Sequence, residues 1–300
     1  MMALKDFKIR SQTIVSAIPT IWLTLFFMLP FLFVLKISLS EATLAQPPYL
    51  DLVRDVEDGL VTIKINFANY LLLLEDSLYF SALLGSLKVA FISTILCIFV
   101  GYPMAYAIAT APEKWRTPLL MLIILPFWTS FLIRVYAWIG ILKSNGVINN
   151  FLMWLGVIDQ PLEILHTPTA VYIGIVYSYL PFFILPLYAT LVKLDGSLLE
   201  AAADLGAKPI TQFFTITLPQ SVSGILAGAM LVFIPVMGEF VIPDLLGGPD
   251  TLMLGKLMWI EFFNNKDWPV ASALTTVLLV VLIIPFIYMQ NYERKVVDDI

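Results

Sequence analysis

Three ionisable side chains, Lys88, Arg134 and Glu239, interrupt long apolar runs of this 300-residue sequence. Charges in such runs are costly, face a bundle interior or a water-filled cavity, and act by pairing with one another or with a charged solute. Each stands about seven or eight residues from the same end of its run, hence about 10–12 Å deep at a rise of 1.5 Å per residue. Glu239 is the one acid of the three, and two roles are open to it. It can meet a cationic solute, or it can form a structural pair with Arg134 or Lys88, the latter also able to snorkel outward. Trp128, Tyr136, Trp138, Tyr177, Tyr179 and Phe240 would add aromatic faces for cation–π contact.

Other chemistry is ruled out by what the chain lacks. One cysteine, Cys97, and one histidine, His166, exclude an internal disulfide, a Cys-based metal site and catalysis by a histidine pair. His166, beside Thr167 and Pro168, reads as a surface residue. The nearest approach to a phosphate-binding loop is Gly255-Lys256, with Asp250 where the leading glycine belongs and Leu257 in place of Ser or Thr. No cofactor is expected, and any ATP hydrolysis must come from another chain. No basic block points to nucleic acid.

The elements that would hold these residues are membrane spans. With 60% apolar and 13% charged residues and a mean hydropathy of +0.90, the chain carries about half the charge of an average soluble protein. Six apolar runs near 14–36, 81–109, 118–142, 169–192, 222–246 and 270–290 are long enough to cross a bilayer. The fold class is therefore all-α, a polytopic bundle in one domain. The first run follows Lys5, Lys8 and Arg10 but is too long for a signal peptide and lacks an A-x-A site, so it reads as a retained span. Every span contains proline, which frees backbone carbonyls that neighbouring helices must satisfy. Gly224 and Gly228 form a G-x-x-x-G, a short pattern that favours close helix packing.

Lysine and arginine set the orientation. With the N-terminus inside, inner segments carry nine of them and outer segments six. That places 1–13, 193–221 and 291–300 in the cytoplasm and 37–80 outside. Thirteen acids against six bases on the outer face would concentrate a cationic solute, although outer loops are also simply free of the positive-inside constraint.

Between spans four and five lies Ser197–Pro219, punctuated like two short soluble helices. Ser197 and Glu200 have capping-box spacing, Ala201, Ala202 and Ala203 give a smooth flank, and Gly206 stands where a left-handed cap belongs. Pro209 can open a second helix and Pro219 close it. Such an elbow is shaped to enter a groove on a partner.

Glu200-Ala201-Ala202, Gly206, Ile216, Leu218 and Pro219 resemble the EAA coupling loop of the permease subunits of bacterial ATP-binding-cassette (ABC) importers at every anchor, and Asp204 lies within the same loop. The stretches from Leu125, Gly156, Gly238 and Asn264 are similar to the polyamine branch of that family, putrescine permeases above all. The resemblance implies a type I importer permease (MetI-like) fold in the bacterial inner membrane. It implies partners as well: a cytoplasmic ABC ATPase dimer, a second homologous permease subunit, a periplasmic polyamine-binding protein and the surrounding lipid. Glu200, Ala201, Ala202, Asp204 and Gly206 would couple to the ATPase, while Glu239, Arg134, Trp128, Tyr136 and Tyr177 are candidates for the substrate pathway. Rival readings are an importer of another solute (spermidine, ferric iron or an oxyanion) and an ion-coupled secondary transporter, whose internal repeats the sequence does not convincingly show. An intramembrane enzyme would need a catalytic constellation that is absent.

Overall fold

The computed structural model describes residues 15–56, 60–249 and 251–298. The expectations for residues 1–13, for Glu57 and Asp58, and for Asp250 lie outside the described residues. Five helices among those described are long and apolar enough to cross a membrane: Val15–Ser38 (α1), Ser77–Thr110 (α3), Phe131–Trp154, Pro168–Leu191 (α7) and Trp268–Asn291 within Trp268–Asp298 (α13). The bent pair Pro209–Gln220 (α9) and Val222–Met237 (α10), which meet at 62°, reaches that length and apolarity only when the two helices are taken together.

Two of the expected spans are broken, each at polar residues. The run near 118–142 is a helix over Glu113–Ile124 (α4) and a 3-10 turn over Leu125–Trp128. Thr129 and Ser130 are then extended (ψ 153° and 138°), and Phe131–Leu142 (α5) begins after them. Val147–Trp154 (α6) completes the apolar length of that crossing. The run near 222–246 is likewise interrupted at Gly238-Glu239, with Val241–Leu246 (α11) beyond the break. Pro126 and Pro235, one turn before each break, deprive the preceding turn of a backbone donor.

The chain divides into two units. One comprises residues 1–77 and 258–280. It holds α1, the short helix Ala68–Glu75 (α2) and, as an addition to the all-helical expectation, an antiparallel hairpin of Val53–Val56 (β1) and Leu60–Ile63 (β2). Asn69 Nδ2 donates to the Ser38 and Ser40 carbonyl oxygens (2.8 and 2.9 Å), and the Ser38 and Tyr70 hydroxyls lie 2.7 Å apart. These bonds satisfy the carbonyls left open at the end of α1. Lys36–Asp51 and Lys64–Glu41, both at 2.6 Å, neutralise two of the acids counted toward an acidic outer face.

The other unit, residues 78–257 and 281–300, contains the ionisable layer and the elbow. Its core is built around Phe183 of α7, which is fully buried with Ile175, Ile184 and Leu187 of the same helix and Val232, Val236 and Met237 of α10. Gly224 and Gly228 let α10 lie directly on α7. A Cβ at Gly228 would stand 2.8 Å from the Phe183 carbonyl oxygen, and one at Gly224 2.5 Å from Thr190 Oγ1. The G-x-x-x-G pattern is thus a packing face.

Candidate functional site

The elbow begins with Gly196–Asp204 (α8). Its cap is Asp195, whose Oδ1 accepts the Ser197 N–H at 2.9 Å. This corrects the expected capping box: Ser197 lies inside the helix, two residues past the cap position. The Asp195 carboxyl is held below the usual carboxylate range by that backbone N–H. At the other end Gly206 has φ +83°. Its N–H donates to the Ala203 carbonyl (2.8 Å), and the Ala207 N–H donates to that of Ala202 (2.9 Å). Together these make a complete Schellman closure.

Pro209 opens α9 at its first position, as expected. Pro219 does not close it; the helix passes through a π-turn at Phe213–Thr217, continues to Gln220 and bends at Ser221. The bend is fastened to α3, where the Tyr102 hydroxyl and Ser221 Oγ lie 3.0 Å apart. Phe213 stands edge-on to Tyr102 and Tyr106, with centroids 5.5 and 5.8 Å away.

Glu200, Ala201, Asp204 and Gly206 are exposed and Ala202 is half-buried. Beside them Leu205 is 90% exposed, and Leu198, Ile210 and Phe214 are exposed too. These apolar tips escaped the sequence reading because they fit the pattern of a core-facing helix. In the structure they are left exposed, and uncovered apolar groups in a cluster mark a contact surface.

In the ionisable layer, the hydrogen-bond partners of Glu239 are backbone and tyrosine groups. Glu239 is only 8% exposed. Its Oε1 accepts the N–H groups of Phe240, Val241 and Ile242 (3.1, 3.0 and 3.3 Å), and its Oε2 accepts a short hydrogen bond from the Tyr179 hydroxyl of α7. The carboxylate therefore closes the open start of α11 and ties it to α7. Gly255, at the start of Leu254–Trp259 (α12), backs onto the same break; a Cβ there would stand 2.4 Å from the Gly238 carbonyl oxygen. No ion pair among the described residues joins Glu239 to Arg134 or Lys88, so the structural pair, one of the two roles open to it, is not formed, and the carboxylate caps a helix instead. Tyr179, read from sequence as an aromatic face, works through its hydroxyl.

Arg134 on α5 rests on aromatic rings, with Cζ 4.4 Å from the Phe127 centroid and 5.8 Å from that of Phe131. Lys88 is exposed on α3. Trp128 and Tyr136 are 78% and 58% exposed, while Tyr177 is half-buried edge-on to Trp138 at 5.3 Å. Among the described residues no ion pair links any two of the three charges. His166 is exposed, as expected.

The sequence pattern of the family described as "Binding-protein-dependent transport system inner membrane component" matches residues 10–298. The chain is 43% identical over 293 residues to the spermidine/putrescine transport system permease protein PotB of Salmonella typhimurium (strain SL1344), covering 96% of this chain and 97% of that one. It is 40% identical over 284 residues to the PotB of Haemophilus influenzae, covering 94% of each. A molybdenum transport system permease protein, ModB of Mycobacterium bovis, is 26% identical over 227 residues, 75% of this chain and 84% of that one. Among solved structures, a chain of the bacterial alginate ABC transporter in complex with an alginate-pentasaccharide-bound periplasmic protein superposes with a TM-score of 0.70 at 19% identity, over 97% of each chain. A chain of the inward-facing MetNI methionine ABC transporter superposes with a TM-score of 0.53 at 16% identity, over 73% of this chain and 96% of that one.

Proposed function

This chain belongs to the binding-protein-dependent transport system inner membrane components, and from that premise we propose that it is the permease subunit of an ATP-driven bacterial importer of polyamines. Its fold is that of the type I ABC importer permeases, and such a subunit is a transport component that leaves hydrolysis to another chain. The observation that carries the reading is the elbow: a short helix capped at both ends, bearing an exposed Leu205 and fastened through Ser221 to a spanning helix.

The proposed mechanism makes use of that geometry. The elbow enters a groove on a cytoplasmic ATPase dimer through Leu205, Ile210 and Phe214, with Glu200 to Gly206 forming the rigid body that is pushed. ATP binding draws this elbow and that of a second permease subunit together. The motion passes through the Ser221 bend and the Tyr102 hydroxyl to α3 and α10. The bundle then opens toward a periplasmic polyamine-binding protein, and hydrolysis resets it. Both termini are cytoplasmic in this arrangement. Trp128 and Tyr136 offer exposed aromatic faces to an ammonium group. Glu239 has its oxygens filled by four donors, so it positions the α10–α11 break instead of meeting the solute.

Polyamines are favoured over an oxyanion because likeness to the spermidine/putrescine permeases covers 96% of the chain at 43% identity, against 26% for the molybdenum permease. Reconstitution with the ATPase, the second permease and the binding protein provides the test. Putrescine, and then spermidine, should stimulate ATP hydrolysis. Stimulation by molybdate or ferric iron, with neither polyamine effective, overturns the assignment.

A further inference from the structure

Among the described residues, three side-chain polar atoms are buried without a hydrogen-bond partner, and two of them are Nε and Nη1 of Arg134. Arg134 as a whole is half-buried, and its guanidinium lies over Phe127 and Phe131, whose rings give a cation–π face but no oxygen acceptor. Arginine does not shed its proton in proteins, so it cannot relieve the cost by becoming neutral. Unpaired donors in an apolar setting carry their full desolvation penalty.

Neither of the described acids at the second broken span supplies the acceptor. Glu239 is filled by four donors, and Asp244 pairs with Lys256 at 2.8 Å. A polyamine cannot supply it either, because it carries positive charge and hydrogen-bond donors only. Beside Arg134 on α5, Leu132 and Ile133 are exposed and uncovered. The chain is apolar from Leu119 to Trp128 and again from Val135 to Leu142, so this surface faces hydrocarbon or another protein, away from the zone of lipid phosphates.

We propose that this face of α5 is the seat of the second permease subunit, and that the second subunit brings a carboxylate to Arg134. The inference rests on the permease reading above. A second copy of this chain does not fit. Two-fold pairing through this face would bring two Arg134 side chains together, and Glu239 and Asp244 of each copy are already engaged. The orphan charge thus acts against self-pairing while favouring an acidic sister, the kind of device that fixes partner choice.

The test uses the full-length chain with and without the second permease. Arg134→Met keeps the length of the side chain and removes the charge. Made alone, this variant should melt at or above the wild-type temperature, because an unsatisfied charge has gone. Co-expressed, it should retain about tenfold less of the second subunit on affinity purification, as expected for truncating one partner of a buried pair. A photo-crosslinking residue at Ile133 should give an adduct of the second subunit's mass. Three outcomes would overturn the proposal: a lower melting point with undiminished recovery, which makes Arg134 an internal prop; an Ile133 adduct of homodimer mass; or recovery in the wild type that depends on added anionic phospholipid and loses that dependence in the variant, which makes the acceptor a lipid phosphate. None of these readouts involves a transported solute, so failure of the polyamine assignment would leave them unaffected. Absence of any second permease in the wild-type preparation would instead remove the permease reading itself.

Discussion

The Tyr179 hydroxyl on α7 donates to Oε2 of Glu239, whose other oxygen accepts three successive backbone N–H groups at the start of α11. One carboxylate thereby holds a broken helix in register with its neighbour. Intramembrane acids are expected to serve a solute or an ion pair; here the backbone itself, opened by the break at Gly238, provides the compensating charge as aligned amide dipoles.

Replacing Glu239 with Gln tests that role. Glutamine can keep one acceptor, but its amide then presents a donor either to the Tyr179 hydroxyl or to the three N–H groups. The detergent-purified protein should lose about 1.5–3 kcal/mol, the usual worth of a hydrogen bond to a charged group. Tyr179→Phe should cost less, and the double variant less than the sum, since both act on one network. A fully stable Glu239→Gln protein that no longer responds to putrescine would instead place the carboxylate on the solute.

Gly206 separates backbone strain from crowding. No atom lies within 4 Å of the Cβ it would gain, so the cost of Gly206→Ala is conformational, about 1 kcal/mol for a left-handed residue. Gly206→Val adds β-branching at the same φ and should loosen the elbow further. That variant is expected to reach the membrane yet hydrolyse ATP without uptake; uptake at the wild-type rate would show that the elbow needs no rigid closure.

Leu205→Ser removes an apolar group that is 90% exposed. The melting temperature should scarcely move, corresponding to about 0.5 kcal/mol or less. Recovery of the ATPase subunit on the tagged permease should nevertheless fall. Undiminished recovery would remove Leu205 from the docking surface.

Two carboxyls titrate in opposite senses. Asp195 is held below its ordinary value of 3.8 by the Ser197 N–H. Its contribution to the elbow is present above 3.8 and disappears as pH falls through the lower folded value. Asp267, which accepts the Val270 N–H at 3.0 Å, is raised above 3.8 by burial, with nearby Glu261 adding to the shift. Its protonated form is favoured in the fold, so its contribution is complete below 3.8 and is lost as pH rises through the higher folded value. Asp267→Asn keeps the acceptor and abolishes the titration. Melting curves of this variant should flatten between pH 3.8 and neutrality, whereas those of Asp195→Asn should flatten on the acid side. Unchanged pH profiles in both would contradict the assignment.

Much of this protein was legible in one dimension, for a definable reason. A bilayer imposes a length and an apolarity on every crossing, and both are properties of consecutive residues; hence the spans could be read from the sequence. The left-handed glycine, the proline at the start of α9 and the small-residue face of α10 were legible on the same grounds, because each depends on a side chain's own size or ring. The boundaries of broken elements were less so: Thr129-Ser130 and Gly238-Glu239 interrupt apolar runs only weakly, and the cap of α8 fell to Asp195, two residues before Ser197. What the tertiary structure alone decided is the pairing of groups distant in the chain. Glu239 meets Tyr179, sixty residues away, and Tyr102 meets Ser221, 119 away. Arg134 meets only aromatic rings among the described residues. A charge in a span announces that it needs a partner; which partner it finds is fixed by how helices pack, and that depends on contacts no local pattern encodes.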